Sequence, residues 1–453
     1  MPPRFPPGFT FGVATSSYQI EGAAFEDGRG PSIWDTFCRA PGKVKNAENG
    51  DVACDHYHRF REDVALMKSL GVRAYRFSVA WPRIFPTGLE DTPNEAGLAF
   101  YEALVDELLA AGITPWVTLY HWDLPQPLQD RGGWAWRGVV DAFVRFAEAV
   151  GKRLGGKVKH WITHNEPWCV AMLGYMNGEH APGHTDWPEA LAAAHHVLLS
   201  HGRAVPVLRA ASPGAEVGIT LNLTPGYAAS PSAADADATR HFDGFFNRWY
   251  LDPVFGRGYP ADMVDDYRRL GRLPAGALPF VHPGDLETIA VATDFLGINY
   301  YSRAILRGEE AGNLPRAIPE PPAAIKTDIG WEVFPEGLEG LLGRLSADYP
   351  RIPLVITENG ASYATPPGPD GAVHDAARVA YFRGHLAACA RAIASGVPLT
   401  GYFAWSLMDN FEWAWGYEQR FGLVWVDFAT QARVPKDSAR YYADVMRTGE
   451  VGG

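Results

Sequence analysis

Residues 354–360 read Leu354-Val355-Ile356-Thr357-Glu358-Asn359-Gly360. An apolar, β-branched run passes directly into a carboxylate, an amide and a glycine. It shows no alternation of apolar and polar residues. Such a run is a strand covered on both faces, as in parallel sheets that lie beneath helices. A second stretch has the same design: Trp161-Ile162-Thr163-His164 leads into Asn165-Glu166-Pro167. Working outward, residues 74–79, 114–120, 217–222, 295–300 and 399–405 also read as buried strands, and residues 11–15 as a weaker eighth. Amphipathic helical spacing lies between them. One face is Phe60, Val64 and Met67, stopped by Gly71. Another is Leu98, Tyr101, Val105, Leu108 and Leu109, closed by Gly112. A third is Phe143, Val144, Ala147, Val150 and Leu154, closed by Gly155. A later one is Val379, Phe382, Leu386 and Ile393, closed by Gly396. Repeated strand-then-helix order implies parallel strands with right-handed crossovers. Eight strands fit an α/β fold of the (β/α)8 barrel (TIM barrel) type with extended strand-to-helix loops, in one catalytic domain over residues 1–453. The longest irregular segments, 223–237 and 303–327, are rich in Pro, Ala and Gly and read as loops on the catalytic face or surface insertions.

Composition narrows the function classes. The 453 residues carry 40 Lys and Arg against 52 Asp and Glu, a formal charge of −12. No Lys/Arg-rich run is present, so the chain is not expected to bind nucleic acid. No uninterrupted apolar stretch reaches membrane-spanning length, and residues 1–7 show no signal-like apolar segment. Cys38, Cys54, Cys169 and Cys389 form no paired spacing, which fits reduced, partly buried thiols in a cytoplasmic protein. Aromatics reach 13 %, with 15 Trp. That surplus suits a large core, and it also suits flat apolar faces lining a sugar site. The sequence is silent on oligomeric state.

In a parallel barrel all strand C-termini open on one face, where active sites form. Strands ending at Glu166 and Glu358 would bring two carboxylates into one pocket. Cleavage of a glycosidic bond requires such a pair, one protonated and one ionised. Either glutamate alone fits a strand-end cap or ion pair as well. The pair in like surroundings favours the chemistry.

The sequence resembles glycoside hydrolase family 1, the β-glucosidase family. The resemblance is carried by residues 9–22 (FTFGVATSSYQIEG), 75–86 (YRFSVAWPRIFP), 118–125 (TLYHWDLP), 163–168 (THNEPW), 356–361 (ITENGA) and 404–413 (AWSLMDNFEW). These segments extend almost end to end. The resemblance implies that Glu166 is the acid/base, that Glu358 is the nucleophile and that configuration is retained. Arg76 and Tyr301 resemble the partners that hold the nucleophile. The same likeness assigns Gln19, His121, Asn165, Trp405, Glu412 and Trp413 to the glycone pocket, with Asn299 and Phe421 at further pocket positions. Trp168, His180 and Trp331 fall on the aglycone side. The implied activity is hydrolysis of terminal β-D-glucosyl residues from O-glycosides and short oligosaccharides, with β-D-galactosides and β-D-fucosides as further candidates. A transglycosylating member and a non-catalytic sugar-binding barrel are the alternatives.

Two family variants are set aside by single residues. Phospho-sugar members replace the Glu412-Trp413 pair, and an anionic Glu412 would repel a phosphate. Thioglucoside-cleaving members have Gln where this chain has Glu166. His164, just before Asn165, departs from the family pattern. His56 and His58, and the adjacent His195 and His196, do not share a helix face. Asp235 and Asp237 lack the rest of a calcium loop. No metal and no organic cofactor is expected.

Overall fold

The computed structural model describes residues 3–308, 316–318, 321 and 323–452. Eight parallel strands close into a barrel in chain order: β1 (Thr10–Ala14), β2 (Ala74–Ser78), β3 (Thr114–Tyr120), β4 (His160–Asn165), β5 (Glu216–Asn222), β6 (Phe295–Asn299), β7 (Leu354–Asn359) and β8 (Leu399–Trp405). Pairing of β1 with both β2 and β8 closes the ring, with Ala14 opposite Arg76 on one side and Trp405 on the other. All eight strands expected from the sequence are therefore present, the weaker first one included.

Two apolar layers hold the barrel. Inside it, Ala14, Ala74, Trp116, Ile162, Phe295, Val355 and Phe403 form one cluster, and Trp405 and Phe421 join it towards the mouth. Outside it, the helices pack a much larger core, including Phe60, Val64, Met67, Phe143, Ala147, Phe382 and Leu386. Leu109 departs from its expected helix face and is 43 % exposed. It follows Leu108 by one position, about 100° round the helix, and so falls off the stripe.

The two segments read as irregular contain short regular elements among the described residues. Residues Gly226–Ala228 pair in parallel with Ala304–Arg307, which pairs with Arg316–Ile318, making a small sheet above the barrel. Residues Ala233–Asp243 are helical, with the Ser232 side chain accepting from the Asp235 N–H. Strands of three or four residues are too short to show a period of two, and their partners are distant in sequence. The rest of the segment at 309–315, 319, 320 and 322 lies outside the described residues.

Candidate active site

The C-terminal ends of the strands surround a cavity of about 380 Å³. Glu166 and Glu358 both line it. Strand register slips just before each glutamate, between Ile162 and Asn165 on β4 and between Ile356 and Glu358 on β7. Irregularities of this kind re-aim a side chain at a strand end. Glu166 itself has φ of 51°, in the left-handed region that non-glycine residues rarely occupy. Its N–H donates to the Thr220 carbonyl at 2.9 Å, and its carbonyl accepts from Val170 at 3.2 Å, which holds that conformation. Beyond Glu358, Gly360 lies against β8: a Cβ there would meet the Trp405 carbonyl oxygen at 1.7 Å. Only glycine lets the two strand ends approach so closely.

Glu358 is fixed at both oxygens. Arg76 Nη1 donates to Oε1 at 2.5 Å, and the Tyr301 hydroxyl donates to Oε2 at 2.7 Å. Arg76 also donates to the Thr357 carbonyl, to Thr118 Oγ1 and to Asn165 Oδ1. Glu166 has a different setting. Asn299 Nδ2 donates to its Oε1 at 2.7 Å, and the Cys169 thiol donates to its Oε2 at 3.1 Å. Thr357 Oγ1 donates to Asn299 Oδ1 at 2.8 Å, which fixes which end of that amide faces Glu166.

These settings separate the two carboxyls. Burial raises Glu358, while the Arg76 charge and the hydrogen bonds from Tyr301 and Arg76 oppose the rise. Glu166 has no salt bridge among the described residues, and burial followed by the Glu358 charge pushes it up to about 8. Two carboxyls this close titrate as a pair. With the guanidinium locked on Glu358, the negative charge resides there and the proton resides on Glu166. One neutral acid and one ionised carboxylate in one cavity can protonate a leaving oxygen and attack the carbon that bears it.

The expected pocket residues divide into wall and backing. His121, Asn299, Trp405, Glu412, Trp413 and Phe421 line the cavity with the two glutamates and Tyr301. Gln19 and Asn165 stand behind the wall, fully buried. Both Nε2 donors of Gln19 are engaged, by Asn410 Oδ1 and the Phe411 carbonyl, and its Oε1 accepts from Ser16. Asn165 Oδ1 accepts from Arg76 and Asn299, so its Nδ2 faces His121 Nε2 at 3.1 Å. His121 is held neutral, mainly by burial and also by Arg76. Its Nε2 is therefore the acceptor, and Nδ1 is left as a buried donor without a partner among the described residues. Trp405 lies nearly parallel to His121 at 5.8 Å, and Trp413 packs on Trp122 at 4.7 Å. Trp168, His180 and Trp331 also reach the cavity. Trp168 stacks on Phe246 at 4.2 Å, and Trp331 stands 5.2 Å from Tyr301.

One expectation changes, and the place of His164 is now defined. Burial and the charges of Glu358 and Glu166 push Glu412 up to about 8, so its carboxyl is mostly neutral near pH 7. The repulsion of phosphate expected from an anionic Glu412 is correspondingly weak. Glu412 offers an O–H donor instead. His164 plays no part in the cavity. Neighbouring strand residues point to opposite faces, so His164 turns outward while Asn165 turns inward. Its Nε2 meets Ser200 Oγ at 2.8 Å and its ring stacks on Phe143 at 4.4 Å.

Sequence reading overlooked Cys169, Asn222 and Arg303 as cavity residues. Cys169 was legible by proximity, because it stands only three residues after Glu166, where the helical segment after the strand end begins. Asn222 ends β5, and that strand-end position was likewise a signal. Arg303 comes from a long loop, where nothing in the sequence points to it.

A closed parallel barrel with paired, unequally set carboxyls at its mouth belongs to the class of barrel glycosidases. Comparison with known proteins narrows the class. A sequence model of glycosyl hydrolase family 1 matches residues 1–451. The chain is 44 % identical to β-glucosidase A of Thermotoga maritima over 98 % of each chain. It is also 44 % identical to a bifunctional β-D-glucosidase/β-D-fucosidase of Bifidobacterium breve over 97 % of each. The solved structure of a Thermotoga maritima β-glucosidase in complex with glucoimidazole superposes with a TM-score of 0.94 at 43 % identity, covering 99 % of both chains. The chain belongs to glycosyl hydrolase family 1.

Proposed function

We propose that the protein is a retaining β-glycosidase that hydrolyses the terminal non-reducing β-D-glucosyl residue of O-glycosides and short oligosaccharides. The observation that carries this reading is the unequal setting of the two carboxyls, with Arg76 and Tyr301 on Glu358 and, among the described residues, no cation on Glu166. In the first step Glu358 attacks the anomeric carbon while Glu166 protonates the departing oxygen, which leaves a glucosyl ester on Glu358. In the second, Glu166, now ionised, takes a proton from water, and that water displaces Glu358. The two inversions restore the β configuration. Retention places the carboxyls about 5 to 5.5 Å apart.

His121 Nδ1, the Glu412 carboxyl and the free capacity of the Gln19 and Asn165 amides supply the glycone contacts, with Trp405 as the apolar platform. Trp168, His180 and Trp331 receive the aglycone. The fucosidase named for the Bifidobacterium breve relative supports β-D-fucosides as second substrates. No helix among the described residues is long and apolar enough to cross a membrane. Four buried, unpaired thiols support a cytoplasmic setting. The acidic surface balance supports a small neutral sugar, rather than nucleic acid, as partner, and one barrel spanning nearly the whole chain supports a single catalytic domain.

The test is the anomer released first. Proton NMR of 4-nitrophenyl β-D-glucoside turnover shows β-glucose before mutarotation if the reading holds. Initial release of α-glucose overturns it.

A further inference from the structure

Glu166 must do two opposed things, and its carboxyl is held by only two protein groups. Asn299 Nδ2 at Oε1 can only donate, because the other end of that amide accepts from Thr357. Oε1 therefore remains an acceptor in every state, and the proton that Glu166 gives and takes is carried on Oε2. The sole protein side chain bonded to Oε2 among the described residues is Cys169, at 3.1 Å.

Cys169 opens the helical segment Cys169–Met176, whose wide turns include an N–H of Asn177 bonded to the carbonyl of Met172, five residues back. Turns of this width recur at functional sites. Here the segment begins three residues after Glu166, which brings the thiol over the carboxyl. Asn222 Nδ2 lies 3.5 Å from the sulfur and donates to it. With its acceptor side engaged, the S–H is directed at Oε2. Asn222 Oδ1 is buried without a partner among the described residues, so none of them draws the amide away.

We propose that Cys169 is a positioning residue for the acid/base: oriented by Asn222, its thiol holds Oε2 of Glu166 and favours the ionised form that the second step requires. The inference rests on Glu166 being the acid/base. A thiol suits the task because it is a weak partner in both directions. It donates to Oε2 when Glu166 is ionised. When Oε2 carries the proton, sulfur is a poor acceptor and yields that proton to a glycosidic oxygen. The thiol does not itself titrate in the working range, since burial and then the charge of Glu166 push it well above an ordinary thiol.

Other groups face Glu166 from the surrounding elements. They are Arg76 on β2, His121 after β3, Glu179 and His180 after β4, Tyr301 and Arg303 after β6, Glu358 on β7 and Glu412 after β8. His121 and His180 are held neutral by burial, and Tyr301 is held protonated. Glu412, held near 8 like Glu166, is the group most able to imitate it.

The test compares the pH dependence of kcat/KM on an aryl β-glucoside for the wild-type protein, Cys169→Ala, Cys169→Ser and Glu166→Gln. Removing a donor to the ionised form raises the carboxyl, so the alkaline limb of Cys169→Ala moves up by about half a unit to one unit. Cys169→Ser, which restores a donor, returns the limb to the wild-type position or below. An unmoved or lowered limb in Cys169→Ala, or a Cys169→Ser that follows Cys169→Ala, overturns the proposal. A purely structural role would lower kcat/KM in both variants without moving the limb. Glu166→Gln separates the two levels of the argument. Wild-type turnover in that variant would sink the acid/base reading itself. Loss of its alkaline limb beside an unmoved Cys169→Ala limb would sink only the role of Cys169.

Discussion

Arg76 Nη1 lies 2.5 Å from Oε1 of Glu358, with the guanidinium fully buried and the carboxylate almost so. A buried ion pair is weak evidence for stability, because desolvation offsets the attraction. Its functional consequence is firmer: it decides which of two neighbouring carboxyls carries the charge.

Replacing Arg76 by Met leaves Glu358 buried without its cation. The loss expected from breaking such a pair is about 3–5 kcal/mol. We predict that kcat/KM falls by at least about 10²-fold. Glu358 is raised by the loss of positive charge, so the acid limb of the pH profile moves to higher pH. Steady-state kinetics across pH on an aryl β-glucoside check both. An acid limb that stays in place would show that Arg76 only packs.

The wild-type profile should be a bell. Glu166 is an acid only while protonated, so activity declines as pH rises through about 8. Glu358 attacks only when ionised, and burial sets it above an ordinary glutamate, so activity declines on the acid side at a pH above the value of an ordinary glutamate. A profile flat from pH 5 to 9 would contradict the assignment.

Glu166→Ala should lose activity unevenly. A good leaving group needs no proton, so turnover of a dinitrophenyl β-glucoside falls far less than turnover of an alkyl β-glucoside, for which general acid help is worth about 10²–10⁴-fold. Added azide, which needs no base, should then capture the sugar and release β-glucosyl azide, detectable by mass spectrometry. An equal loss on both substrates, or an α-configured azide, would contradict the role.

Gly360→Ala inserts a Cβ that meets the Trp405 carbonyl at 1.7 Å. Backbone on both sides cannot yield cheaply, so the ends of β7 and β8 must part. We predict a loss of thermal stability together with a loss of kcat, because Glu358 and Trp405 move with those strand ends. Differential scanning calorimetry and kinetics on the variant test this. Wild-type Tm and kcat would show that the contact is dispensable.

Much of this was legible in the sequence, for physical reasons. Strands buried on both faces write themselves as unbroken apolar runs, so all eight were visible, and the two that end in glutamate stood out. The small sheet of Gly226–Ala228, Ala304–Arg307 and Arg316–Ile318 was not visible, since its short strands gain their stability from distant partners. The charge state of Glu412 was misjudged because it depends on burial and on two other carboxyls that only the fold brings together. Cys169 was read only as one of four reduced, partly buried thiols, and its pairing with Asn222 was not visible because Asn222 lies 53 residues away.

The central claim is that Glu358 forms the covalent intermediate. The direct measurement is to inactivate the protein with 2,4-dinitrophenyl 2-deoxy-2-fluoro-β-D-glucoside, digest it and locate the added sugar by peptide mass spectrometry. The account predicts one fluoroglucosyl group, on Glu358. A label on Glu166 or elsewhere, or turnover without any trapped ester, would contradict it.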